Sequence, residues 1–333
     1  MTKKKDIDYL FISARVKALE GQLLHRGRLE QLLEAKTDAE IEKILQECGY
    51  PELPAQDPAA LDAALAGIRQ AALEDLSASA PEPEFLDLFR LKYDYHNLKA
   101  LLKSESLNVS PESMLVNLGR ISAQELRTAL ETGDVSRIPS PLALAAAEGR
   151  EVLNTTRDPQ LADIAVDRWL YRDMAETADA ADSDFLRGYV SLAVDAANLR
   201  ILVRTLRMGK SPEFLRGVLY EGGSVSQNWI LPVAGAGGNG LTELYSATPL
   251  KEAAAAGAEA LSGGMLTAFE RLCDDAVSGY LADARFVAFG EAPLIRYLAE
   301  KETEYLNLRM ILLGRRAGLD PDTIRSRLRD DFE

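Results

Sequence analysis

The chain has 333 residues, a formal net charge of −14 and two cysteines. This length suits two or three lobes or one large repeat array. The negative charge disfavours nucleic acid as a partner, because phosphate binding needs a basic surface. The cysteines, Cys48 and Cys273, indicate a reducing compartment rather than a disulfide framework. No apolar run approaches the roughly 18 residues of a membrane span and no signal peptide is recognised, so the sequence predicts a soluble intracellular protein.

The predicted elements are all helices, since Ala and Leu are abundant and alternating β-branched runs are almost absent. Two helices are predicted within residues 8–49, the second beginning at a capping box, Thr37 to Glu40. A linker at 77–83 precedes a long helix, and a second capping box lies at Ser122 to Glu125. Further helices are predicted at 161–178, 249–261, 264–285 and 291–316, with a solvated acidic turn at 179–184 and a glycine-rich loop at 221–240.

One polar signature occurs three times and predicts a threefold internal repeat. An acid is followed three places later by Asn, then by Leu and a base. Apolar residues stand one, four and five places after each Asn, which is the spacing of one buried helical face. At roughly 100° per residue the acid falls inside this face and the Asn at its edge, so both need buried partners. The signature residues are Asp94, Asn97 and Lys99; Asp195, Asn198 and Arg200; and Glu304, Asn307 and Arg309.

Each signature helix is followed by a predicted turn and a second helix. Eleven residues past each Asn stands a residue that tolerates a left-handed backbone, as at a helix C-terminus. A capping residue, a proline and an acid follow, which is the pattern of a helix start. The predicted C-terminal caps are Asn108, Gly209 and Gly318, and the predicted first-turn prolines are Pro111, Pro212 and Pro321.

Two interpretations apply to the three acid–Asn pairs. One is a metal or acid–base centre where three helices converge, and the other is a buried hydrogen-bond network repeated with the architecture. A helical carboxylate metal site normally shows Glu-x-x-His, which no copy has. Nothing in the spacing forces the three acids together, so the structural interpretation is favoured.

Other signals of catalysis or cofactor binding are weak. The run Gly235 to Gly240 matches a dinucleotide fingerprint by letter, but that fingerprint has meaning only between a strand and a helix of a parallel sheet. His96 occupies a signature position that Ala197 and Leu306 fill in the other copies, and Cys273 has no nearby His for activation. We therefore expect no catalytic residue, no metal site and no cofactor.

The opening of the chain carries a further recognisable pattern. It consists of Tyr9, Ser13 to Glu20, Leu23-Leu24, Leu32 to Ala35 and Gly49-Tyr50. Together with Asp94 to Leu102 and the later Asn-Leu-Arg copies, this pattern resembles the C subunits of the V/A-type rotary ATPases, which are relatives of the d subunits of eukaryotic V-ATPases. The resemblance spans essentially the whole chain. A glycine-rich insertion at 233–240 is the clearest departure from the family.

The resemblance implies an all-α fold of three pseudo-threefold-related helical lobes, closed into a funnel with a central socket. The lobes would span approximately residues 1–110, 111–211 and 212–333 and interlock across these boundaries. It also implies a non-catalytic central-stalk subunit of an H⁺ or Na⁺ ATPase or ATP synthase. The partners would be the central shaft, made of the coiled-coil D subunit and its companion F subunit, and the proteolipid ring of the membrane rotor. The protein would lie on the cytoplasmic face of the membrane without inserting into lipid.

A rival function class is a helical-repeat scaffold that binds a partner helix or peptide in a concave groove. Repeats of about a hundred residues exceed the usual 20–50 residues of solenoids, which disfavours this class. An all-helical enzyme is a third class, disfavoured because no catalytic constellation is recognised.

Overall fold

The computed structural model describes residues 6–329, and this part of the chain is helical without a strand, which confirms the all-α prediction. Short 3₁₀ helices cover Asp6–Tyr9, Pro83–Leu86, Glu112–Met114, Val135–Arg137 and Asp283–Phe286. The α-helices are α1 (Leu10–Glu20), α2 (Arg26–Glu34), α3 (Asp38–Glu47), α4 (Pro58–Ser79), α5 (Asp87–Leu107), α6 (Ala123–Thr132), α7 (Ser140–Thr156), α8 (Pro159–Ala180), α9 (Asp184–Arg207), α10 (Pro212–Val218), α11 (Gln227–Gly235), α12 (Leu241–Leu244), α13 (Lys251–Leu261), α14 (Leu266–Ala282), α15 (Glu291–Arg316) and α16 (Pro321–Arg325).

The chain divides into two compact units. The first joins the residues up to Pro83 with those from Leu281 onward, and the second comprises Glu84–Tyr280. The first unit contains α15, which carries the third signature copy. The second contains α5 and α9, which carry the first and second copies.

The core of the first unit is built around α15. Side chains of α2, α4 and α16 pack against its apolar face, α3 packs on α2 in the same cluster, and Leu32, Leu61, Leu308 and Ile311 are fully buried. Helix α1 also contacts α15. The third signature helix is therefore held from several sides by helices of the N-terminal segment, far away in sequence.

The core of the second unit includes a cluster around α9. Leu199 and Leu202 of this helix are fully buried among side chains that include Tyr245, Phe269 and Cys273. Helices α5, α7 and α8 contact one another, and α8 in turn contacts α9. Both signature helices of this unit thus lie within its packed interior.

The N-terminal segment holds one more helix than the two predicted within residues 8–49. Helix α2 lies between α1 and α3 in the chain. No capping residue in the sequence signals its start, because His25 occupies the N-cap position and makes no side-chain capping bond. Burial of Leu29, Leu32 and Leu33 stabilises it instead.

The predicted glycine-rich loop at 221–240 is also partly helical. Helix α11 occupies part of it, with the Ser226 hydroxyl accepting from the Asn228 N–H at 3.2 Å. Ile230 and Ala234 are buried in the core, so tertiary packing holds the helix despite Pro232 within it.

The two predicted capping boxes differ in outcome. The box at the start of α6 is confirmed, because Ser122 accepts from the Glu125 N–H and the Glu125 carboxylate accepts from the Ser122 N–H. At α3 the Thr37 hydroxyl caps the Glu40 N–H, but the Glu40 carboxylate accepts from the Lys36 N–H instead. The box at the start of α3 is therefore only half formed.

Candidate functional site

The three signature copies lie on the buried faces of α5, α9 and α15. Each acid and each Asn is at most 4% exposed, which confirms the burial predicted from helical spacing. We call the residues around them the first, second and third signature clusters, in chain order. The buried polar residues are Asp94 and Asn97, Asp195 and Asn198, and Glu304 and Asn307.

Each signature Asn forms the same pair of hydrogen bonds in all three clusters. Its side-chain amide donates to the carbonyl of one later residue and its side-chain oxygen accepts from the N–H of that same residue. The partner lies 19, 22 and 22 residues after the Asn, respectively. The pairs join Asn97 to Val116 at 2.7 and 2.9 Å, Asn198 to Tyr220 at 2.9 and 2.8 Å, and Asn307 to Arg329 at 3.0 and 2.9 Å.

This bond pair satisfies both backbone groups of a residue that belongs to no helix. It ties the segment after the turn back to the signature helix at a fixed distance. An Asn side chain suits the role because its amide offers a donor and an acceptor side by side.

The acids of the first two clusters bind the backbone just before the next capped helix. Asp94 accepts from the Ile121 N–H at 3.4 Å, and Asp195 accepts from the Ser224 and Val225 N–H groups at 3.0 Å each. The Ser224 hydroxyl also donates to Asp195, at 2.5 Å. Ile121 and Val225 directly precede the N-cap serines of α6 and α11.

Close approach of the backbone to these carboxylates requires glycine. A Cβ built on Gly119 would lie 2.0 Å from the Asp94 Oδ1, and one on Gly223 would lie 2.2 Å from the Asp195 Oδ1. Non-bonded atoms cannot approach so closely, so any larger residue would displace the carboxylate or the loop. Gly119 and Gly223 are thus part of the first and second signature clusters.

The third cluster is completed by the N-terminal segment. Glu304 accepts from the Leu24 N–H, 280 residues away in sequence, and from the Tyr50 hydroxyl. Leu24 directly precedes His25 at the N-cap position of α2, as Ile121 and Val225 precede the caps of α6 and α11. In the first two clusters, the backbone that binds the acid comes shortly after the signature helix in the chain. In the third cluster, residues near the start of the chain supply this backbone instead.

The base of each signature pairs with an acid on another helix. Each forms an ion pair with an aspartate on a long helix: Lys99 with Asp167 at 2.6 Å, Arg200 with Asp274, and Arg309 with Asp62 at 3.0 Å. These acids lie on α8, α14 and α4. Helices α4 and α8 share a start, an aspartate N-cap followed by proline, at Asp57 and Asp158. The N-terminal segment again provides the partner for the third copy.

The first cluster carries an additional charged network. The Arg120 guanidinium donates to Asp94 at 2.8 Å and to Asp173 at 2.7 Å, and the Tyr95 hydroxyl donates to Asp173 at 3.1 Å. Burial raises the pKa of Asp94, and the Arg120 guanidinium opposes this shift. The second cluster has Ser224 at the place of Arg120. In the third, the Lys301 ammonium donates to Glu304 at 2.6 Å and lies over the Tyr50 and Tyr305 rings.

The predicted caps are left-handed at all three positions. Asn108, Gly209 and Gly318 have φ values of 52°, 65° and 72°. Pro212 and Pro321 begin α10 and α16 as predicted.

The first signature copy is not followed by an α-helix directly after its turn, unlike the second and third copies. Pro111 precedes only a 3₁₀ helix, Glu112–Met114, rather than an α-helix. The Ser110 hydroxyl donates to the Glu112 carboxylate instead of capping a backbone N–H, so the α-helical start is not stabilised.

The glycine run, His96 and Cys273, which the sequence singled out as weak signals of cofactor binding or catalysis, lie as follows in the structure. Gly235 ends α11 and Gly240 precedes α12, so the fingerprint-like letters fall between two helices. His96 is exposed and its ring contacts the Met114 carbonyl at 2.9 Å. Cys273 is fully buried, and burial raises the pKa of its thiol to about 12, which disfavours the nucleophilic thiolate. No cluster of three or more metal-ligating side chains occurs within residues 6–329.

Sequence comparison decides the family. The family model described as the ATP synthase (C/AC39) subunit matches residues 12–327. The chain belongs to the ATP synthase (C/AC39) subunit family. The resemblance of the sequence to the C subunits of V/A-type rotary ATPases is thereby confirmed.

Individual relatives share this assignment. The chain is 24% identical to the C subunit of the V-type sodium ATPase of Enterococcus hirae, over 98% of this chain and 100% of the relative. It is 25% identical to the C subunit of the A-type ATP synthase of Methanocaldococcus jannaschii, over 96% and 86% of the two chains. It is 29% identical to the C subunit of the V-type ATP synthase of Thermus thermophilus, over 63% of this chain and 68% of the relative.

Among the helices described for the present protein, none has the length and apolar character needed to cross a membrane.

Proposed function

We propose that this protein is the non-catalytic central-stalk subunit of a V/A-type rotary ATPase or ATP synthase. In this role it couples the central shaft to the membrane rotor ring during ion transport. The observation that carries the proposal is the threefold recurrence of one buried hydrogen-bond network in a chain of the ATP synthase (C/AC39) subunit family.

A coupling protein needs stiffness between the surfaces through which torque enters and leaves. Each signature Asn adds two hydrogen bonds between a long helix and the segment that follows it, and each bond contributes about 1 kcal/mol. The acids add further bonds to the next helix start. Such buried and satisfied polar networks resist local opening, which suits transmission of torque.

The proposed architecture is three quasi-equivalent lobes related by rotations near 120° and closed into a funnel with a central socket. The lobes correspond approximately to residues 1–110, 111–211 and 212–333. Closure of the third network by Leu24 and Tyr50 supports this arrangement, because a ring of repeats must join its last copy to its first residues. A socket on the axis suits an axial partner better than a small substrate.

The proposed partners are the shaft, made of the D subunit and its companion F subunit, and the proteolipid ring. A net charge of −14 disfavours direct binding to anionic lipid, so attraction to the ring requires basic groups on its cytoplasmic loops. The proposed location is therefore peripheral, on the cytoplasmic face of the membrane, without insertion into lipid.

The proposal is tested by pull-down of the purified protein with the D–F shaft pair and with ring-containing membranes. We expect binding to both, and assembly of one complex that contains all of them. Absence of binding to either partner would refute the coupling role. Steady-state ATP hydrolysis by the isolated protein would refute its non-catalytic character.

A further inference from the structure

A second buried charged cluster lies between α1 and α15, apart from the signature acids and bases. It contains Glu20, the last residue of α1, and Arg296 and Glu300, one turn apart on α15. The Arg296 guanidinium contacts the Glu20 carboxylate at 2.9 Å and forms an ion pair with Glu300. The three side chains are only 8–12% exposed. We call these three residues the α1–α15 triad.

The triad is electrostatically unbalanced. Two carboxylates share one guanidinium, and the second oxygen of Glu300 is buried without a hydrogen-bond partner. The Arg296 Nε is also buried without one. An ionised carboxylate that lacks part of its hydrogen bonding is costly in such a place, and a protonated one costs much less.

The surrounding charges do not remove this imbalance. From α1, Lys17 contacts Glu20 at 2.6 Å, but its side chain is 73% exposed and therefore well hydrated. From α15, Glu304 adds further negative charge, although it is bound by the Leu24 N–H and by Lys301.

The nearby ionisable groups on α1, α4 and α15 are otherwise paired or neutral. Arg15 of α1 and Asp75 of α4 pair with each other at 2.7 Å. Tyr297 of α15 keeps its proton, because burial raises its pKa further above the ordinary range.

We propose that Glu300 is a proton switch that controls how firmly α1 docks on α15. With Glu300 protonated, Glu20 and Arg296 form a balanced pair and the neutral carboxyl is buried at a lower cost than the carboxylate. When Glu300 releases its proton to solvent, a second negative charge is buried beside one guanidinium, and docking weakens. Ile12 and Val16 hold α1 through apolar burial in both states, so the switch changes its stability rather than releasing it outright.

The direction of the pH effect follows from the environment of Glu300. Burial raises its pKa from the ordinary 4.5 to about 7, and Arg296 opposes this shift. The docked state therefore binds more protons than the undocked state between these two values. Docking is strongest below about pH 4.5 and weakens as pH rises through 7.

The test is hydrogen exchange of the full-length protein, measured by mass spectrometry on peptides that cover α1. Rates are corrected for the intrinsic pH dependence of amide exchange. With pKa values of about 7 and 4.5, the protection of α1 should fall about thirtyfold between about pH 5.5 and 8. Glu300→Gln should keep α1 protected at both pH values, and Glu52→Gln, an exposed loop control in the same unit, should behave as the wild type.

A second variant checks the like-charge contribution. Glu20→Gln removes one of the two carboxylates, so the midpoint of the pH dependence should move downward. The proposal is overturned if Glu300→Gln keeps the wild-type pH dependence, if it lowers α1 protection at both pH values, or if the wild type shows no dependence.

Discussion

Gly223→Ala should destabilise the second unit strongly, although it adds a single methyl group. The new Cβ would lie 2.2 Å from the Asp195 Oδ1, 3.1 Å from its Cγ and 3.3 Å from the Val194 Cγ1. Either the carboxylate or the loop must move, and the bonds from the Ser224 and Val225 N–H groups to Asp195 would lengthen or break. No left-handed backbone is involved at this glycine, so the effect is steric.

The size of the expected loss in the free energy of unfolding follows from the buried polar groups that Gly223→Ala leaves without partners. A hydrogen bond to a carboxylate contributes about 1.5–3 kcal/mol, and removing a partner from a buried charge costs about 3–5 kcal/mol. We therefore expect a loss of about 3–5 kcal/mol in the free energy of unfolding. For a unit of this size that corresponds to a fall of about 6–20 °C in Tm.

The assay uses the two tryptophans, Trp169 and Trp229, which both lie in the second unit. Their fluorescence during urea unfolding therefore reports this unit selectively. Gly217→Ala in α10 is the matched control, because a Cβ there meets nothing within 4 Å. That control should be neutral or stabilising by up to about 1 kcal/mol, since alanine favours a helix over glycine.

A double-mutant cycle separates the steric clash from other effects of the methyl group. Asp195→Ala removes the two atoms that the new Cβ would approach most closely, the Asp195 Oδ1 and Cγ. The combination of Gly223→Ala with Asp195→Ala should then cost less than the sum of the two single changes. Additive costs, or a Gly223→Ala variant as stable as Gly217→Ala, would refute the role of the close approach.

Three further predictions concern the signature clusters and the proposed assembly. Asn198→Ala leaves both backbone groups of Tyr220 without their partner and should cost about 1–3 kcal/mol in urea unfolding followed by tryptophan fluorescence; an unchanged midpoint would contradict the role of the Asn. The isolated chain should neither bind nor hydrolyse ATP in calorimetric titration, and micromolar magnesium-dependent affinity would overturn this. Attachment to the rotor ring should weaken between about 50 and 500 mM salt, where the Debye length falls from roughly 14 to 4 Å, whereas shaft binding should change far less. The reverse salt dependence, measured in the same pull-downs, would show that the charged and apolar contacts are exchanged.

The local features of this protein could be predicted from sequence alone. The buried side of α5, α9 and α15 follows from apolar spacing, because a helix places every third or fourth residue on one face. The left-handed caps at Asn108, Gly209 and Gly318 follow from residue types that tolerate a positive φ. Even the need of each signature acid and Asn for a partner could be predicted, since buried polar groups must be hydrogen-bonded.

The partners themselves depend on tertiary structure. Glu304 is bound by Leu24 and Tyr50, 280 and 254 residues away, and no periodicity in the sequence connects them. The Arg120–Asp173 pair likewise joins the loop before α6 to α8, and the shared guanidinium of Arg296 joins α15 to α1.

Helices α2 and α11 show the same limit, because they have a missing cap or an internal proline and are held by burial. A sequence encodes such helices only weakly, since a short helix is marginal in water and gains most of its stability from the surface it buries. Which surface that is depends on residues that the fold, and not the local sequence, brings alongside.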